Sequence, residues 1–160
     1  MFRKLLKTSE DVLPTLLRVT LGVVMFPHGA QKALGWFGGY GFEGTMGFFT
    51  DTMHIPALLA LLAIAAEFLG SLGLMAGLFT RVAALGIAIN MAVAVLTTHL
   101  PFGFFMNWFG NQKGEGFEYH LLVVAIAAAV IWRGAGAYSL DGLLARRRTQ
   151  QSPEPVSAPA

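Results

Sequence analysis

Four stretches of the chain stay largely apolar for about the 20 residues needed to cross a hydrocarbon core of roughly 30 Å. They cover Val12–Leu34, 55–79, 82–100 and 117–138, and the last is the weakest because its strongly apolar part stops near Arg133. Glycine, proline and polar residues gather between them, at 35–54, at Thr80-Arg81 and at 101–116. Pro56 suits the first turn of a helix, and Pro101 makes Leu100 a natural helix end. The pattern predicts an all-α integral membrane protein, an antiparallel four-helix bundle occupying residues 1–145. The rest, 146–160, ends in "TQQSPEPVSAPA" and is expected to be a disordered tail.

Lysine and arginine set the expected orientation. In a four-span arrangement Arg3, Lys4, Lys7, Arg81, Arg133, Arg146, Arg147 and Arg148 share one side, and Lys32 and Lys113 the other. Both termini and the Thr80-Arg81 turn are therefore expected in the cytoplasm, with 35–54 and 101–115 facing outward. The start, "MFRKLLKTSEDVLP", is basic but is followed by no small-residue cleavage site, so the first apolar segment reads as an uncleaved span. Small residues should mark the inner faces: Ala63, Ala66, Gly70, Gly73 and Gly77 in span two; Ala83, Ala84, Gly86, Ala88, Ala92 and Ala94 in span three.

Composition agrees with a lipid bilayer as the first partner. Of 160 residues, 55% are apolar and 12% charged, about half the usual charged share. The net charge is only +2, and no basic patch interleaved with aromatics points to nucleic acid. The chain has no cysteine, so thiol chemistry would have to come from a partner or a substrate.

The polar residues inside the apolar spans carry the candidate chemistry, because such groups are costly and face the interior, a cavity or a partner. Arg18 lies about two turns into span one, on a stripe with Gly22, Met25, Gly29 and Lys32, and with His28 on its flank. Glu67 lies near the middle of span two and Asn90 in the lower half of span three. Their depths predict an Arg18–Glu67 ion pair, direct or bridged by Asn90 or water. Such a pair either fixes helix register or handles protons or ligand. Lys32 is expected to reach outward to the interface, and a kink at Pro27 to open a pocket capped by the glycine- and aromatic-rich loop "GWFGGYG".

All four histidines, His28, His54, His99 and His120, fall in the outer half. Three readings compete. They are hydrogen-bonded interfacial residues; or His28, Glu67, Glu118 and His120 form a quinone headgroup or proton-handling site supported by Arg18, Asn90 and Lys32; or His28, His99 and His120 hold a metal or haem. The third is the weakest, since no His-x3-His or Glu-x2-His pair occurs. Glu118 and His120 point about 200° apart on a helix, and an unbroken third helix would turn His99 away from the core. Gly39-Tyr40-Gly41-Phe42-Glu43-Gly44 spells G-x-G-x-x-G, but no strand precedes it, so dinucleotide binding is rejected.

"HGAQKALGWFGGYGFEGTMGFF", "AAEFLGSLGLMAGLFTRVAAL", "GEGFEYHLL" and "GAGAYSLD", in this order within 13–141, resemble the DoxX family of small bacterial membrane proteins. The resemblance implies a four-helix, multi-pass protein of the bacterial inner membrane. The family is named after a small subunit of a thiosulfate:quinone oxidoreductase, and members are described as quinol-oxidase or redox-complex subunits; four-span eukaryotic cargo receptors are more distantly similar. The function expected is that of a redox-complex subunit that binds quinone near the outer face and exchanges electrons with a protein partner. A non-catalytic scaffold or assembly partner and a small-molecule carrier, working as a homo-oligomer, are the alternatives.

Overall fold

The computed structural model describes residues 8–150. Helix α1, Val12–Leu34, starts at Asp11, whose carboxylate accepts the Leu13 N–H at 3.0 Å, and stops at Gly35 in the left-handed region (φ +72°). It runs through Pro27 as one continuous helix. A short helix α2, Gly41–Gly47, and a π-helical turn Phe48–Thr52 follow; the G-x-G-x-x-G stretch is thus a turn entering a helix. Helix α3 is Ala57–Ala76, with Pro56 at its N-cap. Helix α4, Thr80–Ala94, continues into a π-helical turn Val95–His99 and a 3-10 turn Leu100–Phe102. Helix α5 is Glu118–Arg133 and helix α6 is Leu140–Gln150. Helix α6 reaches past Arg146, where the tail was expected to begin; 151–160, and Arg3, Lys4 and Lys7, lie outside the described residues.

The described residues are all-helical, without strands. Three helical segments, Val12–Leu34, Ala57–Ala76 and Thr80–Phe102, are long and apolar enough to cross a membrane. Their outward side chains are oily: Leu58, Leu69 and Leu96 are each more than half exposed, as suits surfaces that face lipid. Helix α5 has 16 residues, about 24 Å at 1.5 Å per residue. It does not run on to Tyr138. Gly134 and Gly136 take positive φ values, and 134–139 is an irregular strap.

Helix α1 packs on α3 and α5, and α4 packs on the same two. A Cβ added at Gly22 would meet Met75 Cγ at 2.8 Å, and one at Gly29 would meet Phe68 Cα at 2.6 Å. These two glycines of α1 therefore let the backbones of α1 and α3 approach, and the paired positions show that the helices run antiparallel. Leu21, Met25, Leu74, Ile87, Met91, Val123 and Val130 form the shared core.

Arg18 is 1% exposed, and its partners are carbonyls, not Glu67. Its Nε donates to Ala135 O at 2.7 Å, Nη1 to Leu74 O and Met75 O at 2.7 Å each, and Nη2 to Tyr138 O at 2.8 Å. Carbonyls in the last turn of a helix have no partner within it and carry the negative end of its dipole, so a guanidinium there answers both needs. The same grip ties the strap to α1 and α3. Gly77 (φ +68°) makes room, since a Cβ on it would sit 2.9 Å from Arg18 Cζ. Next to it, Asp141 accepts the Phe79 and Thr80 N–H groups at 2.8 and 2.9 Å and caps α4. Arg133 pairs with Asp11 at 2.6 Å, and Arg146 with Glu10.

Replacing Arg18 with methionine keeps an unbranched stem but takes the guanidinium donors away from these carbonyls. It should destabilise the protein by about 3 kcal/mol, read as a lower thermal midpoint in detergent. An unchanged midpoint would mean that the strap is held by other contacts.

Candidate functional site

At the other end of the helices, between α1, α3, α4, α5 and the two long loops, lies a cavity of about 940 Å³. All four histidines line it. So do Lys32, Glu67, Asn90 and Tyr119, amid methionines, alanines and leucines. The size is that of a ligand pocket, and polar side chains converge on it from several elements.

His28 and Lys32 stand four residues apart on α1 and therefore on one face. Lys32 turns inward and not to the interface: its Nζ is 2.6 Å from Glu67 Oε2. Glu67 is nearly fully buried, while Lys32 keeps 30% of its side-chain surface exposed. The contact is close but not aligned as a hydrogen bond, and Oε2 has no hydrogen-bond partner among the described residues. Asn90 Nδ2 donates to Ala63 O at 2.7 Å, bracing α4 on α3; it bridges nothing to Arg18.

His99 does not point away. It closes the π-helical turn Val95–His99, and the wider turn changes the register that an uninterrupted α-helix would impose. Its ring centroid lies 4.1 Å from that of His120. His99 Nδ1 is 2.8 Å from Glu115 O; a carbonyl only accepts, so Nδ1 carries the proton and Nε2 is left as the acceptor in the neutral ring. His120 is 6% exposed, and its Nδ1 has no hydrogen-bond partner among the described residues. Its neighbour Tyr119 donates its hydroxyl to Met25 Sδ at 3.5 Å and lies 6.2 Å from the His28 ring.

Glu118 is set apart from this group. Its Oε1 accepts the Met106 N–H at 3.0 Å and the Trp108 Nε1–H at 3.2 Å, so it folds the loop that roofs the cavity. Among the described residues no three histidines or carboxylates gather as a metal-holding group: His99 and His120 come together, while His28 faces Tyr119. Tyr119 and the loop carbonyl of Glu115 were missed by sequence reasoning. The spacing of His28 and Lys32 was the available signal for the pairing with Glu67.

A family model of DoxX matches residues 13–100. The chain belongs to the DoxX family. It is also similar to the "Putative oxidoreductase CatD" of Bacillus subtilis (strain 168), 31% identical over 122 residues, which cover 76% of this chain and 81% of that protein. No solved structure matches. Family and apolar helices together make this a membrane protein. The part of this DoxX chain that the family model covers holds Arg18, His28, Lys32, Glu67, Asn90 and His99; Tyr119 and His120 come from α5, beyond it.

The Lys32–Glu67 pair can be checked by a double-mutant cycle. Lys32→Met alone leaves a buried carboxylate without its counter-charge and should destabilise by about 2 kcal/mol. Adding Glu67→Gln should recover most of that loss in chemical unfolding. Simple additivity of the two changes would show that the pair is not coupled.

Proposed function

We propose that this chain is a multi-pass protein of the bacterial inner membrane that binds a quinone ring in the histidine cavity and exchanges electrons with a partner protein. In this reading α1, α3, α4 and α5 all cross the bilayer. Both termini lie in the cytoplasm: Arg81, Arg133, Arg146 and Arg147 stand at the Arg18 end, while Lys113 stands at the other and Lys32 is drawn into the cavity. Exposed Tyr40, Trp108 and Phe109 then fall at the outer headgroup level. The name of the Bacillus subtilis relative, "Putative oxidoreductase CatD", supports redox work.

The observation that carries the reading is a buried imidazole nitrogen without a hydrogen-bond partner among the described residues, His120 Nδ1, on a residue that lines one cavity with the Lys32–Glu67 ion pair. Buried polar groups are nearly always paired, so an unpaired imidazole nitrogen on a cavity-lining residue suits a polar ligand. A quinone supplies two carbonyl oxygens and takes up two electrons and two protons. Lys32 and a protonated His120 nitrogen donate hydrogen bonds to such oxygens. Glu67, and His120 with His99 behind it, are the groups placed to give and take the protons. The electrons pass to or from the partner.

The test is binding of a short-chain benzoquinone to the purified protein, followed by its oxidised-minus-reduced near-UV band. His120→Phe fills the imidazole's space with a ring that makes no hydrogen bond and should weaken binding about tenfold. Affinity equal to that of the unaltered protein would remove His120 from the site and with it the main support for a quinone ring there.

A further inference from the structure

A second cavity, of about 600 Å³, runs along the outer face of the α3–α4 pair. Leu69, Gly73 and Ala76 form one wall; Phe79, Val82 and Ala83 form the other end and side. No residue lining it carries a polar side chain. Leu62, Ala66 and Gly86 line both this cavity and the histidine cavity, so the two form one trough. Its polar groups are all at one end, and hydrocarbon lines the rest.

The trough runs over small residues at which α3 and α4 touch, since a Cβ on Gly86 would meet Ala66 Cβ at 3.0 Å. A Cβ on Gly70 would meet Ala83 O at an ordinary 3.6 Å, where one on Gly29 would collide with the Phe68 backbone. From Leu62 to Ala76 the apolar part extends about 21 Å at 1.5 Å per residue. Its volume then gives a mean cross-section of about 30 Å², far less than that of a helix 10–12 Å across with its side chains. A single hydrocarbon chain fits that width; a partner helix does not.

We propose that the α3–α4 trough holds the hydrocarbon tail of an amphipathic ligand whose polar ring sits at Glu67 and His120, so that the chain selects a long-tailed membrane quinone over a small water-soluble redox compound. This rests on the reading of the histidine cavity as a ring site. His120 Nδ1, on a residue 6% exposed, is the unpartnered atom that calls for a polar group at the upper end, where the Lys32–Glu67 ion pair lines the same cavity. Moving a tail from lipid into the trough gains little transfer energy, since lipid is as apolar as leucine. The trough contributes close contact and a fixed direction for the ring, so its effect on affinity is several-fold and not thousands-fold.

The experiment compares two probes on protein in lipid nanodiscs: a benzoquinone with a decyl tail, and the same ring with a methyl group instead. Both are tested against the unaltered protein and Ala83→Phe, which fills the trough far from the ring. The decyl compound should bind about fivefold more weakly to Ala83→Phe, with the methyl compound unchanged. Unchanged decyl binding would overturn the trough and leave the ring site standing. Failure of both probes to bind the unaltered protein would overturn the ring site and the trough together. Should Ala83→Phe bind neither probe, the unaltered protein still decides through a photoreactive group at the end of the decyl tail. Adducts within residues 69–83 support the trough, and adducts confined to lipid or to other helices overturn it.

Discussion

Taking a guanidinium out of water costs several kcal/mol unless its donors are met. Arg18 meets that demand with backbone carbonyls from two places far apart in sequence, the last turn of α3 and the strap 134–139. Carbonyls at a helix end need donors, and a fully buried arginine needs acceptors, so each removes the other's penalty. The consequence is geometric. With Arg18 level with the end of α3, and Gly22 and Gly29 seated on Met75 and Phe68, the antiparallel register brings Lys32 level with Glu67. An arginine at one end of α1 thus decides which cation reaches the carboxylate near the other.

That register divides the protein into two polar ends joined by an apolar core. One end is densely bonded. Arg18, Asp141, Asp11 and Thr15 all have partners there, and Thr15 Oγ1 donates to Ala137 O at 2.6 Å, while the Ser9 and Thr80 hydroxyls have none among the described residues. The opposite end is only partly satisfied, with a close but misaligned ion pair and an imidazole nitrogen without a partner. A dense set of hydrogen bonds suits a structural clasp; spare hydrogen-bonding capacity beside a cavity suits a binding site.

How much of this was legible in the sequence follows from what each feature leaves in it. The long helices were readable because lipid demands unbroken apolar runs, and the histidines were rightly gathered at one end. The partner of Arg18 was not readable, because a backbone carbonyl has no residue type. Depth arithmetic then favoured Glu67, the nearest carboxylate in span two. His99 was turned the wrong way because a π-helical turn has no sequence signature comparable to a proline or a cap. Glu118 looked like chemistry because it precedes a histidine; its two loop hydrogen bonds come from Met106 and Trp108, which only the folded loop brings near. The glycines of α1, by contrast, spell a close approach that a reading confined to spans two and three overlooked.

Small residues have two opposite outcomes here. Between α1 and α3 they allow backbone contact, and a single added carbon would force the helices apart. Between α3 and α4 they leave a trough, although alanine and glycine are at least as frequent there. The difference lies in what holds the pair at its ends. The α1–α3 seam is drawn together by Arg18 at one end and by Lys32–Glu67 at the other. The α3–α4 seam is set by the tight turn at Gly77 and by the Asn90–Ala63 hydrogen bond; it touches at Gly86 and Ala66, while Gly70 keeps ordinary spacing from Ala83. A stripe of small residues therefore states only that backbones can approach. Whether they do is decided by the polar contacts that bracket the stripe, and where those contacts hold the helices along one edge the unfilled volume becomes space for a ligand.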